Sequence, residues 1–423
     1  MKKTNGTQLK VIVIIFGLLS LGTHFHTVLK QFLLEPNLLD FAYYYVWGDL
    51  VHKDINYFRL NELTSESSDI LQNPSQLPLP HLRDQPVSTF LPEGFALYSP
   101  SFLSLMSLFA RMNFVPAAAL WTLINYLALI LAIFVTAKSL NLKIDVLNLS
   151  VFSSLVFSFQ PLVESVAIGQ ANLLILFLLS TVFWAVKYEK AFLAGFLLAC
   201  ALHIKPQYGV LTLLFLIKKQ YRYFVSTVFF YGFIAVVTVF VVTLQFQLDY
   251  YATLFHLGQY ASGLVTWHHN WSLLSALTRL CGEADIFIAR VVHGTIAVAV
   301  ILCVIKLLRR PFQNRLFAFE YSGVILMTLL FLPVMEGHYL VMLYFSIFVL
   351  YRHLEDLEKF WQCVFILAFL LLALRYSMVR FELFGAGWLS LLANGKLYGL
   401  LLLTAVTFRS WILAIESKQQ ESH

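Results

Sequence analysis

Long apolar runs alternate with short polar breaks along this chain. Ala117 to Ala137 and Phe224 to Phe246 carry no charged residue, and about 20 apolar residues at 1.5 Å each cross a hydrocarbon core of roughly 30 Å. Within lipid every backbone amide must be satisfied inside its own segment, so continuous runs of this kind are helices. A membrane barrel would instead need strands of about ten residues with alternating polar lumen positions. The pattern predicts twelve spans, at 11–30, 116–137, 147–165, 171–186, 191–204, 207–217, 224–246, 286–305, 317–333, 338–351, 360–374 and 396–413. The expected fold class is an all-α polytopic membrane protein, a single transmembrane domain over 1–423.

Loop charges orient these spans. Cytoplasmic loops hold the Lys and Arg excess, and 18 of the 29 basic residues, from Lys2 and Lys10 through Lys187, Lys218, Arg309 and Arg352 to Lys418, fall on one side if the N-terminus is inside. Phe95 to Ala110 is also apolar, but a thirteenth span would turn one set of loops the wrong way round. The stretch 95–115, bounded by Tyr98, Pro100, Arg111 and Pro116, is therefore read as a helix lying on, or dipping into, the outer leaflet. The first extracytoplasmic loop, 31–94, is the most polar stretch and carries Pro36, Pro74, Pro78, Pro80, Pro86 and Pro92. A loop of that length is usually functional or disordered. No internal repeat points to an inverted-repeat transporter.

Composition agrees with this picture. Of 423 residues, 59% are hydrophobic and 12% charged, against roughly 25% charged in soluble domains. A soluble enzyme, a disordered chain and a disulfide-stapled secreted domain are excluded. The net charge of +6 sits in short loops and sets topology, so no nucleic-acid partner is expected. Cys200, Cys281, Cys303 and Cys363 lack CxxC spacing and read as packing residues. Met1 to Gly22 has the look of a signal peptide but lacks a small-x-small cleavage site, so an uncleaved first helix is expected.

Several polar residues need a reason to be where they are. Asp40 sits amid Phe41, Tyr43, Tyr44, Tyr45 and Trp47, where desolvation raises a carboxyl's pKa unless a cation or hydrogen bonds hold it; capping a helix that starts at Phe41 is the plainer reading. Gly169-Gln170-Ala171-Asn172, just after Glu164, offers amides to a sugar or phosphate, or a turn capped by Asn172. Lys205-Pro206 lies between two short apolar runs, where a cation binds a lipid phosphate or snorkels. His338 follows Pro333, Glu336 and Gly337 at the mouth of a hairpin, where an imidazole can share a proton with a carboxylate. His268, His269 and Asn270 form a further polar cluster without zinc spacing. No metal site or cofactor is predicted, and nothing supports a divalent metal. The charge-derived topology places Asp40, Gln170, Lys205, Asn270 and His338 on one face, where an acid, a base, a cation and amides make an interfacial active site.

In that order the motifs resemble the polyprenol-phosphate-mannose-dependent mannosyltransferases of glycosyltransferase family 87, in the GT-C superfamily. The residues that carry the likeness are Asp40-Phe41 with Tyr43 to Tyr45 and Tyr57, then Tyr98-Ser99-Pro100 for a Tyr-Pro-Pro. Gly169-Gln170-Ala171-Asn172 stands for Gly-Gln-x-Asn, followed by Gly195 with Lys205-Pro206 and the basic patch Lys218-Lys219-Gln220-Tyr221-Arg222. Asn270-Trp271-Ser272 and Pro333 with His338-Tyr339 complete the set. Departures are Ser99 for a proline, and Glu336-Gly337 where a tryptophan and a second polar residue often stand.

The resemblance implies a GT-C-type bundle of about 12 helices with a long first outer loop. It implies an inverting hexosyltransferase that moves a sugar, mannose being the family's best known, from a polyprenyl-phosphate carrier to a glycolipid or glycan acceptor. The reaction would lie at the outer face of the plasma membrane, here a bacterial inner membrane. Asp40 would be the general base, His338 its partner or the sugar's, and Lys205 with Arg279 the phosphate holders. Tyr44, Tyr98, Gln170, Asn172 and Asn270 complete the substrate-binding set, and membrane lipids are the remaining partners. Two other classes stay open: a transporter or flippase for lipid-linked sugars, which predicts mid-span charges, and a polymerase or ligase, which typically has a large late outer loop.

Overall fold

The computed structural model describes residues 2–34, 38–54, 56, 98–260, 265, 267, 269–282, 285–375, 384 and 386–421. Most of the first outer loop, Tyr57 included, lies outside the described residues, as does His268. Among the described residues the regular elements are all helical. They are α1 (Lys2–Leu34), α2 (Leu39–His52), α3 (Pro100–Ala110), α4 (Phe114–Ser139), α5 (Val146–Phe157), α6 (Gln160–Ala167), α7 (Asn172–Lys187), α8 (Ala191–Ile204) and α9 (Val210–Ile217). Then follow α10 (Tyr221–Val239), α11 (Leu244–Tyr260), α12 (Leu273–Cys281), α13 (Ile286–Leu308), α14 (Asn314–Phe331), α15 (Leu343–Arg352), α16 (Lys359–Ala373) and α17 (Gly395–Glu421). Short 3₁₀ turns at Pro206–Gly209, Gly337–Met342 and Trp388–Ala393 precede α9, α15 and α17.

Helix occupies each of the twelve predicted positions, yet among the described residues five segments are long and apolar enough to cross a bilayer on their own. These are Lys10–Lys30, Phe114–Ser139, Tyr221–Val239, Ile286–Leu308 and Gly395–Ser417. The predicted straight span 147–165 is a pair, α5 and α6, bent by 61°. Pro161 in the first turn of α6 lacks the N–H that would continue the ladder from α5. The predicted span 224–246 ends early, because α10 stops at Val239 and α11 begins at Leu244. The predicted 338–351 opens as a 3₁₀ turn and becomes α-helix only at Leu343. In the stretch 95–115, α3 is an 11-residue helix, about 16 Å long, capped by Ser99 and packed on α2.

The short helices explain where a recess forms. The 14 residues of α8 reach about 21 Å, less than a hydrocarbon core. The chain then turns at Lys205 and returns through the Pro206–Gly209 turn and α9. The longer α10 packs along α8. Near one end Gly195 lies so close to Ser226 that any Cβ would strike it; near the other, the His203 and Tyr231 rings stack at 4.4 Å. Eight further residues of α10 run past Tyr231, about 12 Å, so the Lys205 apex lies below the rim of the bundle.

The other end is locked by a buried ion pair. Lys218, part of the basic patch read from sequence, sends its Nζ 2.6 Å from Glu320 Oε1 of α14 and 2.8 Å from the Arg310 carbonyl, and the two side chains are 0% and 1% exposed. Lys138, Lys187 and Lys306, in the last turns of α4, α7 and α13, lie at helix ends away from the Lys205 apex.

Candidate active site

Two motifs far apart in sequence are joined by backbone. The first N–H groups of α2 have no partners within their own helix. They donate elsewhere: Leu38 N to the Ala167 carbonyl at 2.9 Å, and Asp40 N and Phe41 N to that of Ile168 at 2.9 and 3.1 Å. The chain after α6 then turns through Gly169 at φ 73°, where a side chain would also strike Phe41. Trp121 Nε1 donates to the Gly169 carbonyl at 2.7 Å. This places Gln170 beside Asp40. Asp40 does not cap α2. It lies in the first turn, where the helix N-terminus favours its anion.

Around Gln170 the polar atoms are closely matched. Its Oε1 accepts from the Tyr44 hydroxyl at 2.9 Å and its Nε2 donates to the Tyr98 hydroxyl at 3.2 Å, while the Tyr44 and Tyr98 hydroxyl oxygens share a hydrogen bond at 2.8 Å. The Gln170 side chain also favours the ionised form of the Asp40 carboxyl. Asn172 does not cap α7; its Nδ2 donates to the His338 carbonyl at 2.9 Å. Ser99, in the proline position, has φ −67° and ψ 153°, the backbone a proline would adopt. Its hydroxyl accepts from Phe102 N and donates to the His203 carbonyl at 2.5 Å, tying α3 to the end of α8 just before Lys205.

The charged groups gather at Lys205. Its Nζ is buried, has no hydrogen-bond partner among the described residues, and stands 3.8 Å from the centroid of the Tyr339 ring, a cation–π contact. Burial pulls its pKa down to about 7, while Asp40 and Glu336 pull the other way. Burial pushes Asp40 up to about 6, opposed by Lys205 and by the Gln170 side chain. Glu336 is pushed up to about 8, first by burial and then by Asp40, with Lys205 opposing. Both carboxyls remain partly open: Asp40 is half-buried and the Glu336 side chain is 27% exposed. His338 Nδ1 lies 3.4 Å from Glu336 Oε2, and burial with the nearby Lys205 and Lys396 cations holds the imidazole neutral.

Beneath the Glu336–His338 turn lies a second layer. Lys396, at the start of α17, donates from Nζ to Gln160 Oε1 at 2.8 Å and Glu164 Oε1 at 3.1 Å. A Cβ on Gly337 would collide with the Glu164 carboxylate and come within 2.7 Å of Lys396 Nζ, so only glycine lets the turn settle on this ion pair. Asn270 staples the chain just before it, accepting on Oδ1 from Met335 N at 3.0 Å and donating to the Pro333 carbonyl at 3.0 Å. Arg279 in turn donates to the Asn270 carbonyl at 3.0 Å and Asn394 Oδ1 at 2.8 Å. Among the described residues no group of three His, Cys, Asp or Glu side chains is placed to hold a metal ion.

The profile of Glycosyltransferase family 87 matches residues 96–333, more than half of the 423-residue chain. The chain belongs to glycosyltransferase family 87. No curated protein matches it, and no solved structure does. Membership makes it a membrane glycosyltransferase, which takes a sugar from a donor and passes it to an acceptor.

Of the residues singled out from the sequence of this family 87 enzyme, the structure brings Asp40, Tyr98, Gln170 and Lys205 into one cluster, with His338 joining it through Glu336. Tyr44 is fully buried and spends its hydroxyl on Tyr98 and Gln170. Asn172 and Asn270 bond to backbone of the 332–338 segment, and Arg279 lies behind Asn270. Sequence reasoning did not place Glu336, Glu164, Tyr339 or Lys396 in the site. The departure from the family pattern at Glu336-Gly337 was the available signal. Asp40 precedes the matched segment, and Glu336, His338 and Lys396 follow it, so their placement rests on geometry.

Proposed function

We propose that this glycosyltransferase moves mannose from a polyprenyl-phosphate carrier to a lipid or glycan acceptor in one inverting displacement. The observation that supports the reading is the meeting of a half-buried carboxylate, Asp40, with a buried cation that has no hydrogen-bond partner among the described residues, Lys205, at one sunken apex. An anionic phosphate supplies what Lys205 lacks, and its charge holds the ammonium protonated. Asp40, largely ionised at neutral pH, accepts the proton of the acceptor hydroxyl as that oxygen attacks the anomeric carbon. The bond from that carbon to the phosphate oxygen breaks, and the carrier phosphate leaves with the electron pair. A single attack from the side away from the leaving group inverts the anomeric centre. Tyr98 and Gln170 are the groups placed to hold sugar hydroxyls beside Asp40, with Tyr44 fixing both.

The proposed side is extracytoplasmic, in the plasma membrane of a bacterium. The support is that Lys138, Lys187 and Lys306 sit at helix ends away from the site, and basic ends face the cytoplasm. The test is transfer from radiolabelled polyprenyl-phosphate mannose by purified protein in liposomes carrying candidate acceptor lipids, followed by thin-layer chromatography. Wild type is expected to form a labelled product, and Asp40→Asn to slow it by roughly 10²–10⁴-fold. Full turnover in Asp40→Asn sinks the base assignment, and failure of wild type with every polyprenyl-phosphate sugar sinks the donor class.

A further inference from the structure

Glu336 has no role in the displacement just described, yet it stands in the same cluster. Its turn sits on the Glu164–Lys396 pair at Gly337, its Oε2 lies 3.4 Å from His338 Nδ1, and Tyr339 of the same turn lies against Lys205 Nζ at 3.8 Å. It lies within electrostatic reach of Asp40, Lys205, Tyr98 and Glu164. Two carboxylates and one ammonium, all ionised, would give this centre a net negative charge and repel an anionic donor. A carboxyl that keeps its proton removes the repulsion and adds a donor.

Resting on the donor reading above, we propose that Glu336 is a second recognition group for the donor phosphate: beside Lys205, its protonated carboxyl donates a hydrogen bond to a phosphate oxygen. The bond strengthens as the carrier phosphate gains charge on departure, so it acts in the transition state as well as in binding. No proton needs to change hands, since the carboxyl donates and retains it. The raised affinity of Glu336 for its proton, near pH 8 in the empty site, agrees with this role. The groups facing it are Asp40 of α2, Tyr98 ahead of α3, Glu164 of α6, Lys205 after α8, His338 and Tyr339 of its own turn, and Lys396 of α17. Asp40 and Glu164 favour the neutral form, and Lys205 opposes it.

The sign follows from linkage. Below about pH 8 Glu336 is neutral and donates; above it the ionised group repels phosphate, so affinity falls as pH rises. Lys205 loses its proton in the same direction, so the measurement must separate the two. Binding of geranylgeranyl phosphate to the full-length protein in detergent, by titration calorimetry from about pH 6.5 to 9.5, does so. Above about pH 8, log Kd of wild type should rise with a slope about one proton steeper than that of Glu336→Gln, which retains an N–H donor but cannot ionise. Glu336→Gln is expected to bind about threefold more weakly at pH 7, and Glu336→Ala roughly 10- to 100-fold more weakly. Equal slopes in wild type and Glu336→Gln assign the whole alkaline fall to Lys205 and overturn the proposal. Absence of phosphate-lipid binding by wild type at every pH overturns the donor reading, and this proposal with it. Normal melting temperatures of the variants separate loss of binding from loss of fold.

Discussion

Replacing Lys205 with methionine tests the electrostatic centre most directly, because rate and stability should respond in opposite directions. With Asp40 near 6, roughly 90% of the carboxyl is ionised at pH 7 and roughly 10% at pH 5. The acid limb of kcat/KM in the wild type, which reports the free enzyme, is therefore expected near pH 6. A neighbouring opposite charge typically lowers a carboxyl by roughly 1–3 units, and the Lys205 ammonium does more than the Gln170 side chain to hold Asp40 down. Lys205→Met should move the acid limb up by roughly 1–3 pH units. At pH 7 that leaves between about half and about 1% of the base ionised. Loss of the phosphate's counter-charge adds roughly another 10- to 100-fold. The deficit against wild type should narrow as pH rises from 7 to 9, since the variant recovers its base while the wild-type lysine loses its proton over that range. Stability should not fall, because the ammonium is buried without a hydrogen-bond partner among the described residues. A buried ammonium without such a partner carries a desolvation cost that methionine lacks, and the half-buried Asp40 can take up a proton in the variant. The assay is a pH series of sugar transfer with thermal unfolding in the same detergent. An acid limb that stays near 6 in the variant refutes the Asp40–Lys205 coupling, and a lowered melting temperature with an unchanged rate makes Lys205 a structural residue.

Other substitutions probe the scaffold. Lys218→Met leaves Glu320 buried without its cation and should cost roughly 3–5 kcal/mol in thermal unfolding, while Lys218→Met with Glu320→Leu should recover most of it. Gly337→Ala pushes the Glu336–His338 turn off the Glu164–Lys396 pair and should lower kcat by about 10²-fold, the cost of an ångström of misplacement. Ser99→Pro keeps the observed backbone but removes the hydroxyl bond to the His203 carbonyl. It should raise the donor KM several-fold, and both Ser99→Pro and Ser99→Ala lose the side-chain cap of α3, about 1 kcal/mol of stability.

The fold was legible where a local pattern decides it. Periodic apolar runs located the long helices, and α8, predicted at 191–204, begins and ends at those residues. What hydropathy could not give was span length in three dimensions. Phe240 to Thr243 is as apolar as the helix before it, yet α10 ends at Val239. Residues 338–342 read as the start of a helix and are held in a tighter turn by Asn172 on the His338 carbonyl. Both outcomes rest on contacts across the chain, which no window of sequence contains.

The site divides along the same line. Asp40, Gln170, Lys205 and His338 could be found because each is a polar residue in an apolar neighbourhood, and such a residue needs a partner. Lys396 escaped because it reads as the charge at the head of a span, and its partner Glu164 lies 232 residues away. Tyr44 read as a substrate-binding residue, and its burial makes it the support for Tyr98 and Gln170. Glu336 was visible only as a break in a family pattern, with no sign of what the acid would do. Its meaning depends on Asp40 and Lys205 being close at once. Two acids around one cation are unfavourable for an anionic ligand unless one of them stays neutral. Burial raises Asp40 to a useful base, and burial together with Asp40 raises Glu336 further, so that it is the neighbour that bears the proton. If Glu336 keeps its proton up to about pH 8, Glu336→Gln replaces one neutral group by another across the Asp40 titration and should leave that acid limb near pH 6. A limb that falls in the variant would mean that Glu336 is ionised there and repels Asp40, which removes the proton the phosphate bond requires.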